Sequence, residues 1–289
     1  MYNTNEIVFG TINVSNEKDK KTADINNIFD NIQKKQELKK VDIWCVQELS
    51  AVSENKRKNI KDKGYIILEP RNSRGNCTEY IIKENIKENF NFKVIDEKNT
   101  IFKHYNENKK KYKDILIYDD EYPEFLDGDY REAVLTINGI DIIVINTHIP
   151  FNFRGKTTSR RQLFMKSYID YLESIQDKFV VCLGDLNASE DGNRGGHNFL
   201  VKIKRLGFIE LQDKAEIKEG KDHPTYKKSN LKLDYIFLSS QLSRYIRRKH
   251  RKSINELCNL KYLDKNLTEV QDILDHIGME FTMNKEWFT

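Results

Sequence analysis

The sequence predicts an α/β fold with a mixed sheet, on three observations. Short apolar runs rich in Val, Ile, Tyr and Phe alternate with longer helical patterns. Residues 132–146 read as two strands joined at Asn138-Gly139, a dipeptide that favours a tight antiparallel hairpin. Apolar residues recur at helical spacing in two places. Strands interleaved with helices, together with a hairpin, exclude a purely parallel sheet.

Strands are expected at Glu6–Ile12, Val41–Val46, Tyr65–Leu68, Glu79–Ile82, Asp114–Tyr118, Glu132–Ile137, Ile140–Asn146, Phe179–Leu183, Leu233–Leu238 and Ile277–Met283, most of them ending at polar or turn residues. One helix is expected around Ile25, Ile28, Phe29 and Ile32, and a second around Phe164, Tyr168, Tyr171, Leu172 and Ile175. Ser159 and Gln162 have capping-box spacing at the start of the second. Arg160 and Arg161 lie in its first turn, where each cation opposes the helix macrodipole by about 0.3–1 kcal/mol. Residues placed against local stability are candidates for phosphate contact, and equally for plain solvated surface.

The length of 289 residues suits one large domain or two small ones. With no internal repeat, Pro/Ser-rich linker or composition shift, a single domain over residues 1–289 is the simplest reading. The net charge of +4 is a weak hint of an anionic partner, because phosphate binding depends on local basic clusters. The four cysteines form no C-x-x-C pair, and Cys45 and Cys182 sit in apolar runs, which argues for reduced thiols and against structural zinc. No signal peptide and no membrane-length apolar run is read, so a reducing, cytoplasmic setting without stable membrane association is expected.

Polar residues at strand ends are the informative feature, since a strand end holds a side chain rigidly yet leaves it open to ligand. Asn13 closes the first strand, and Glu48 follows VDIWCV as a candidate ligand for a hard, oxygen-seeking cation. His148 closes IDIIVINTH. Asp185 and Asn187 close FVVCLGDLN, and strand alternation would put both on one face. Asp234 opens a further strand, and Asp275-His276 precedes the last. A catalytic histidine needs a carboxylate to fix its tautomer, and Asp234 is the natural partner for His276. Each residue alone reads as an ordinary turn or structural residue; their succession at strand ends does not.

Together these motifs resemble the endonuclease/exonuclease/phosphatase superfamily, with the DNase I-like fold. The matching pieces are TIN with Asn13, QE with Glu48, NTH with His148, GDLN with Asp185 and Asn187, LDYIF with Asp234, and DH with Asp275 and His276, in the family's order along almost the whole chain. REAV at Arg131 and the Arg161-Gln162 helix start are similar to family features as well. Ser15 and Leu274 depart from the pattern of some DNA-repair members. The resemblance implies a four-layer α/β sandwich, with two mixed, mainly antiparallel sheets face to face and helices outside. It implies a Mg²⁺ or Mn²⁺ site held chiefly by Glu48, with Asn13 and Asp275 nearby, and an Asp234–His276 pair.

The chemistry expected is in-line attack of water on phosphorus. The metal would polarise a phosphate oxygen, Asn187 and His148 would donate hydrogen bonds to phosphoryl oxygens, and Asp185 or His276 would take the proton from water. The leading substrate reading is a nuclease acting on DNA, as endonuclease or exonuclease. It draws on the basic clusters Lys109-Lys110-Lys111, Arg160-Arg161 and Arg244–Lys252. The last lies in an insertion at about 239–273 and reads as a basic helix beside the catalytic pair, or as a solvated face or partner site. Arg131, Arg160, Arg161, Arg247 and Arg248 are the candidate phosphate contacts. The alternative is a phosphatase or phosphodiesterase acting on a phospholipid or inositol phosphate, a branch that also carries the NTH form. A catalytically dead binding module is the third reading, and the intact residue set argues against it.

Overall fold

In the computed structural model, residues 5–14, 41–49, 54–68, 77–95, 100–112, 130–149, 158–191, 196–227, 229–248, 250–263 and 276–289 are described. The strands are β1 (Glu6–Asn13), β2 (Ile43–Leu49), β3 (Tyr65–Ile67), β4 (Cys77–Lys83), β5 (Asn91–Val94), β6 (Tyr130–Ile137), β7 (Ile140–His148), β8 (Val180–Asp185), β9 (Ile209–Glu210), β10 (Asp234–Leu238), β11 (Lys261–Tyr262) and β12 (Met279–Asn284). The helices are α1 (Glu54–Asp62), α2 (Glu84–Asn89), α3 (Ile101–Asn108), α4 (Thr158–Ser174), α5 (His197–Arg205), α6 (Lys214–Glu219), α7 (Ser240–Arg247) and α8 (Ile254–Cys258).

The strands form two six-stranded sheets, ordered β11-β12-β1-β2-β4-β3 and β5-β6-β7-β8-β10-β9. Each has one parallel pair, β1 with β2 and β7 with β8, and is otherwise antiparallel. The Asn138-Gly139 turn closes the β6–β7 hairpin with both residues at positive φ, 50° and 79°.

Alternation along the strands divides the apolar residues between layers. In β2, Ile43 and Cys45 join Phe9, Tyr80, Leu135, Val144, Leu183 and Ile236 in the core between the sheets. Trp44 and Val46 point the other way, into a cluster with Ile60 of α1. On the outer face of the second sheet, Tyr168 and Leu172 of α4 and Phe199 and Ile203 of α5 pack with Cys182, Tyr235 and Phe237. The architecture is the expected four-layer sandwich of two mixed sheets with helices outside. Cys45, Cys182 and Cys258 are free and buried. No helix among the described residues is long and apolar enough to cross a membrane.

Several details differ from the sequence reading. The strands β5, β9 and β11 are not anticipated, being only 4, 2 and 2 residues long. The expected strand at Asp114–Tyr118 and the helix around Ile25 to Ile32 lie outside the described residues. Ser159 falls inside the first turn of α4, which already starts at Thr158, so it is not the cap.

The largest correction concerns the basic segment. Asp234 pairs with Asp185 at the end of β8, whereas Leu238 pairs with Val181 near its beginning. The chain therefore enters α7 at the opposite end of the sheet. There the Ser239 hydroxyl accepts from Val180 N (3.1 Å) and donates to Lys178 O (2.8 Å). Tyr245 packs on Phe179 and on Phe288, which lies in the turn that follows β12, and His250 meets Trp287 in the same turn. Arg247 and Arg248 thus sit at the end of the sandwich away from the catalytic pair, not beside it.

Candidate active site

Strand register alone gathers most of the polar strand ends. The parallel β7–β8 pairing sets His148 beside Asp185, and the antiparallel β8–β10 pairing sets Asp185 beside Asp234. These three stand in one row across the second sheet. In the first sheet, Asn13 pairs with Gln47, next to Glu48.

Buried amides tie the two rows together. Gln47 Nε2 donates to Asn146 Oδ1 (2.7 Å) and to Thr11 Oγ1 (3.0 Å). Asn146 Nδ2 donates back across the core to Val46 O (3.1 Å) and Glu79 O (3.0 Å). Above this layer, Asn13 Nδ2 donates to Asp185 Oδ2 at 2.9 Å and to Glu48 Oε1 at 3.1 Å, linking the sheets at the site itself.

Two site residues have left-handed backbones. Glu48 (φ 54°) lies where the β2–β4 register shifts between Val46 and Leu49, so a bulge aims its carboxylate. Asn187 (φ 46°) follows the end of β8, and its backbone N–H donates to Asp185 Oδ1 at 2.7 Å. A left-handed Asn tolerates this turn better than most residues. The turn, rather than strand alternation, brings Asn187 to Asp185, which corrects the sequence argument. Its side-chain Nδ2 donates to Ile149 O (2.8 Å) and lies 3.4 Å from His148 Nε2.

His148 Nε2 is 3.2 Å from Glu48 Oε1. Burial acts to raise the pKa of Glu48, but the hydrogen bond and charge of His148, the Asn13 amide and the charge of His276 outweigh it and hold the pKa at about 2. His276 Nδ1 is 2.9 Å from Asp234 Oδ2, and its Nε2 is 3.7 Å from Asp185 Oδ2. Burial disfavours the imidazolium, yet Asp234 and then Asp185 more than compensate, raising the His276 pKa to about 9. Asp185 is shifted upward, chiefly because it is buried, against the pull of His276.

The Asp234–His276 pair is braced by a segment that carries no sequence signal. The Thr225 hydroxyl accepts from the backbone N–H groups of Leu233 (2.9 Å) and Asp234 (3.0 Å), while Thr225 O accepts from Ile277 N (2.7 Å). Tyr226 bridges to His276 and lays its ring 5.0 Å from the imidazole. One residue before Leu233, Lys232 Nζ is buried between Glu210 Oε1 (2.5 Å) and Glu216 Oε1 (2.6 Å). That acidic group is therefore filled by an internal ammonium and anchors the start of β10.

Among the described residues, two sets of ligand atoms at this edge could hold a cation: those of Glu48, His148 and Asp185, and those of Asp185, Asp234 and His276, each within 4.8 Å of one another. The Asn13 Nδ2 group holds Glu48 Oε1 and Asp185 Oδ2 close together, and two carboxylates so placed suit a hard divalent cation.

Two of the expected phosphate-contacting arginines, Arg131 and Arg161, are engaged by the protein itself. Arg131 is buried between the sheets, its Nη1 2.8 Å from Glu79 Oε2 and its Nη2 donating to Leu68 O (3.2 Å). Arg161 is also buried, and its Nη2 donates to Asn187 O at 2.6 Å. Both cations are bound internally, and Arg161 supports the Asn187 turn. Asp275 and the Arg160 side chain lie outside the described residues.

Two face-to-face mixed sheets with polar strand ends gathered at one edge make up a DNase I-like fold. No family model and no curated protein sequence matches the chain. Among solved structures, the chain is similar to the AP endonuclease LMAP from Leishmania major, with a TM-score of 0.63 and 16% identity over 98% of this chain and 89% of that one. It is similar to an AP endonuclease from Archaeoglobus fulgidus, with a TM-score of 0.59 and 17% identity over 96% and 99% of the two chains. It is also similar to a 3' phosphatase from Neisseria bound to a product DNA hairpin, with a TM-score of 0.58 and 12% identity over 95% and 98%.

Proposed function

We propose that this chain is a divalent-metal-dependent phosphoric ester hydrolase, and specifically a nuclease acting on DNA. The observation that carries the reading is the convergence of Asn13, Glu48, His148, Asp185, Asn187, Asp234 and His276 from both sheets onto one edge, held by direct hydrogen bonds and ion pairs. The similarity to DNA-processing proteins supports the choice of substrate.

In the proposed mechanism Glu48, with Asn13 and Asp275, would hold Mg²⁺ or Mn²⁺, which when bound would supply Lewis-acid polarisation of a phosphate oxygen. Glu48 suits that task because it stays anionic down to about pH 2. Asp234 and Asp185 beside His276 favour its imidazolium form, with the pKa raised to about 9. His276 therefore serves as a donor to a phosphoryl oxygen, oriented by Asp234. Proton abstraction from water falls to Asp185, whose Oδ1 is fixed by the Asn187 backbone and whose burial raises its basicity. His148, whose Nε2 lies 3.2 Å from Glu48 Oε1, is proposed as a second donor to the phosphate.

The test is parallel incubation with Mg²⁺ or Mn²⁺ and supercoiled plasmid, single-stranded RNA, sphingomyelin or inositol polyphosphates. Plasmid nicking that EDTA blocks and His276→Ala removes is the expected result. Lipid or inositol phosphate release without nicking would transfer the site to the alternative substrate class. Silence on all four would contradict the enzymatic reading.

A further inference from the structure

Residues 240–253 carry six Lys and Arg and no Asp or Glu, against a whole-chain surplus of only four, so the remainder of the chain is net acidic. The positive charge is thus concentrated in one segment, and that segment lies at the end of the sandwich opposite the candidate active site.

The local structure does not require these cations. In α7 the apolar face, with Leu242 and Ile246, is buried in the core between the sheets. Arg244, Arg247 and Arg248 stand exposed at i, i+3 and i+4, neighbours of like charge on one ridge. Arg251 and Lys252, also exposed, immediately precede Ser253, the N-cap of α8, where positive charge opposes the helix dipole. The nearest carboxylate in sequence, Glu256, is engaged by the Ser253 backbone and hydroxyl. Among the described residues none of these five cations is ion-paired. Apart from the pull of Glu256 on Lys252, these exposed like charges crowd on one surface, which favours an external polyanion.

We infer that the surface formed by Arg244, Arg247, Arg248, Arg251 and Lys252 is a second nucleic-acid contact, which grips the phosphodiester backbone of a long duplex away from the scissile bond. Arginine dominates the cluster, and its planar guanidinium matches phosphate in a bidentate way. An anionic membrane is the weaker match, because surface helices that bind lipid insert an apolar face and that of α7 is already buried. The choice of polymer rests on the proposed phosphodiesterase function, but the binding does not depend on catalysis.

The experiment uses the full chain with Arg247→Glu, Arg248→Glu and Arg251→Glu combined, with the Gln triple variant as a milder control for folding. Binding to a DNA duplex several helical turns long is measured by fluorescence anisotropy in EDTA over a salt series. Hydrolysis of a small chromogenic phosphodiester is measured separately with Mg²⁺. The expected result is a loss of duplex affinity of about tenfold or more, with the salt slope reduced by about one for each phosphate contact removed, and unchanged turnover of the small diester. Wild-type affinity and slope in the folded variants would overturn the proposal. So would unchanged duplex binding alongside lost binding to phosphatidylserine vesicles, which would assign the surface to a membrane. If the small diester is not hydrolysed by the wild type, the proposed function fails while the anisotropy result still decides the surface.

Discussion

His276 lies 2.9 Å from one carboxylate and 3.7 Å from another, and its proton is the most consequential one in the site. Its pKa rises from 6.5 to about 9 on folding, so the imidazolium stabilises the native state fully below about pH 6.5, and that contribution is lost as pH climbs through about 9. A shift of this size corresponds to about 3–4 kcal/mol, shared with Asp234 and Asp185. We expect Asp234→Asn to lower stability by about 3 kcal/mol near neutral pH. The difference from wild type should shrink above pH 9 in thermal unfolding followed across pH. In the same variant, NMR titration of the His276 ring in EDTA should give a pKa well below 9. An unmoved ring pKa would show that Asp234 does not hold the proton. Asp185→Asn should retain the fold, because Asn can still accept from the Asn187 N–H, yet lose about 10²–10⁴ in rate if Asp185 is the base.

Single elements carry the site through backbone contacts as much as side chains. Gly184, at φ 130°, lets β8 pass so close to β7 that a Cβ would stand 2.1 Å from Thr147 O. Backbone cannot yield as a side chain would, so Gly184→Ala should cost about 3 kcal/mol or more in chemical denaturation. Thr225→Val would keep the shape of its residue but strand the N–H groups of Leu233 and Asp234, at about 1–3 kcal/mol. Thr225→Ser should recover most of that loss, and a variant as stable as wild type would remove Thr225 from the account. At this scale the sequence is partly legible. Asn13, Glu48, His148, Asp185, Asp234 and His276 stand where apolar runs stop or start, and it is their succession at strand ends, not any one of them, that marks them in the sequence. Thr225 and Tyr226 sit in the stretch before Asp234 and announce nothing, because their role depends on this stretch touching both the start of β10 in one sheet and the approach to β12 in the other. The two-residue strands β9 and β11 are too short for any period to register. Arg131 and Arg161 illustrate the converse: a basic residue near a motif reads as a phosphate ligand, and only three-dimensional packing reveals Glu79 and the Asn187 carbonyl as their partners.

As a whole, the molecule is a sandwich with two unlike ends. At one, the carboxylates and histidines of both sheets converge over a layer of buried amides; at the other, α7 and the start of α8 expose a basic ridge. The composition discloses the charge but not its address, since topology alone decides at which end β10 delivers the chain. The inter-sheet link from Gln47 to Asn146 is what keeps Glu48 in register with Asp185 and His148. The claim on which the account depends is that this edge hydrolyses phosphodiesters with a divalent metal. The most direct measurement is the single-turnover cleavage of an end-labelled DNA duplex in Mg²⁺ by wild type, Glu48→Gln and His276→Ala, each with and without EDTA. Cleavage by wild type alone, abolished by EDTA, is the expected result. Cleavage that survives EDTA, or that either variant performs at the wild-type rate, would contradict it.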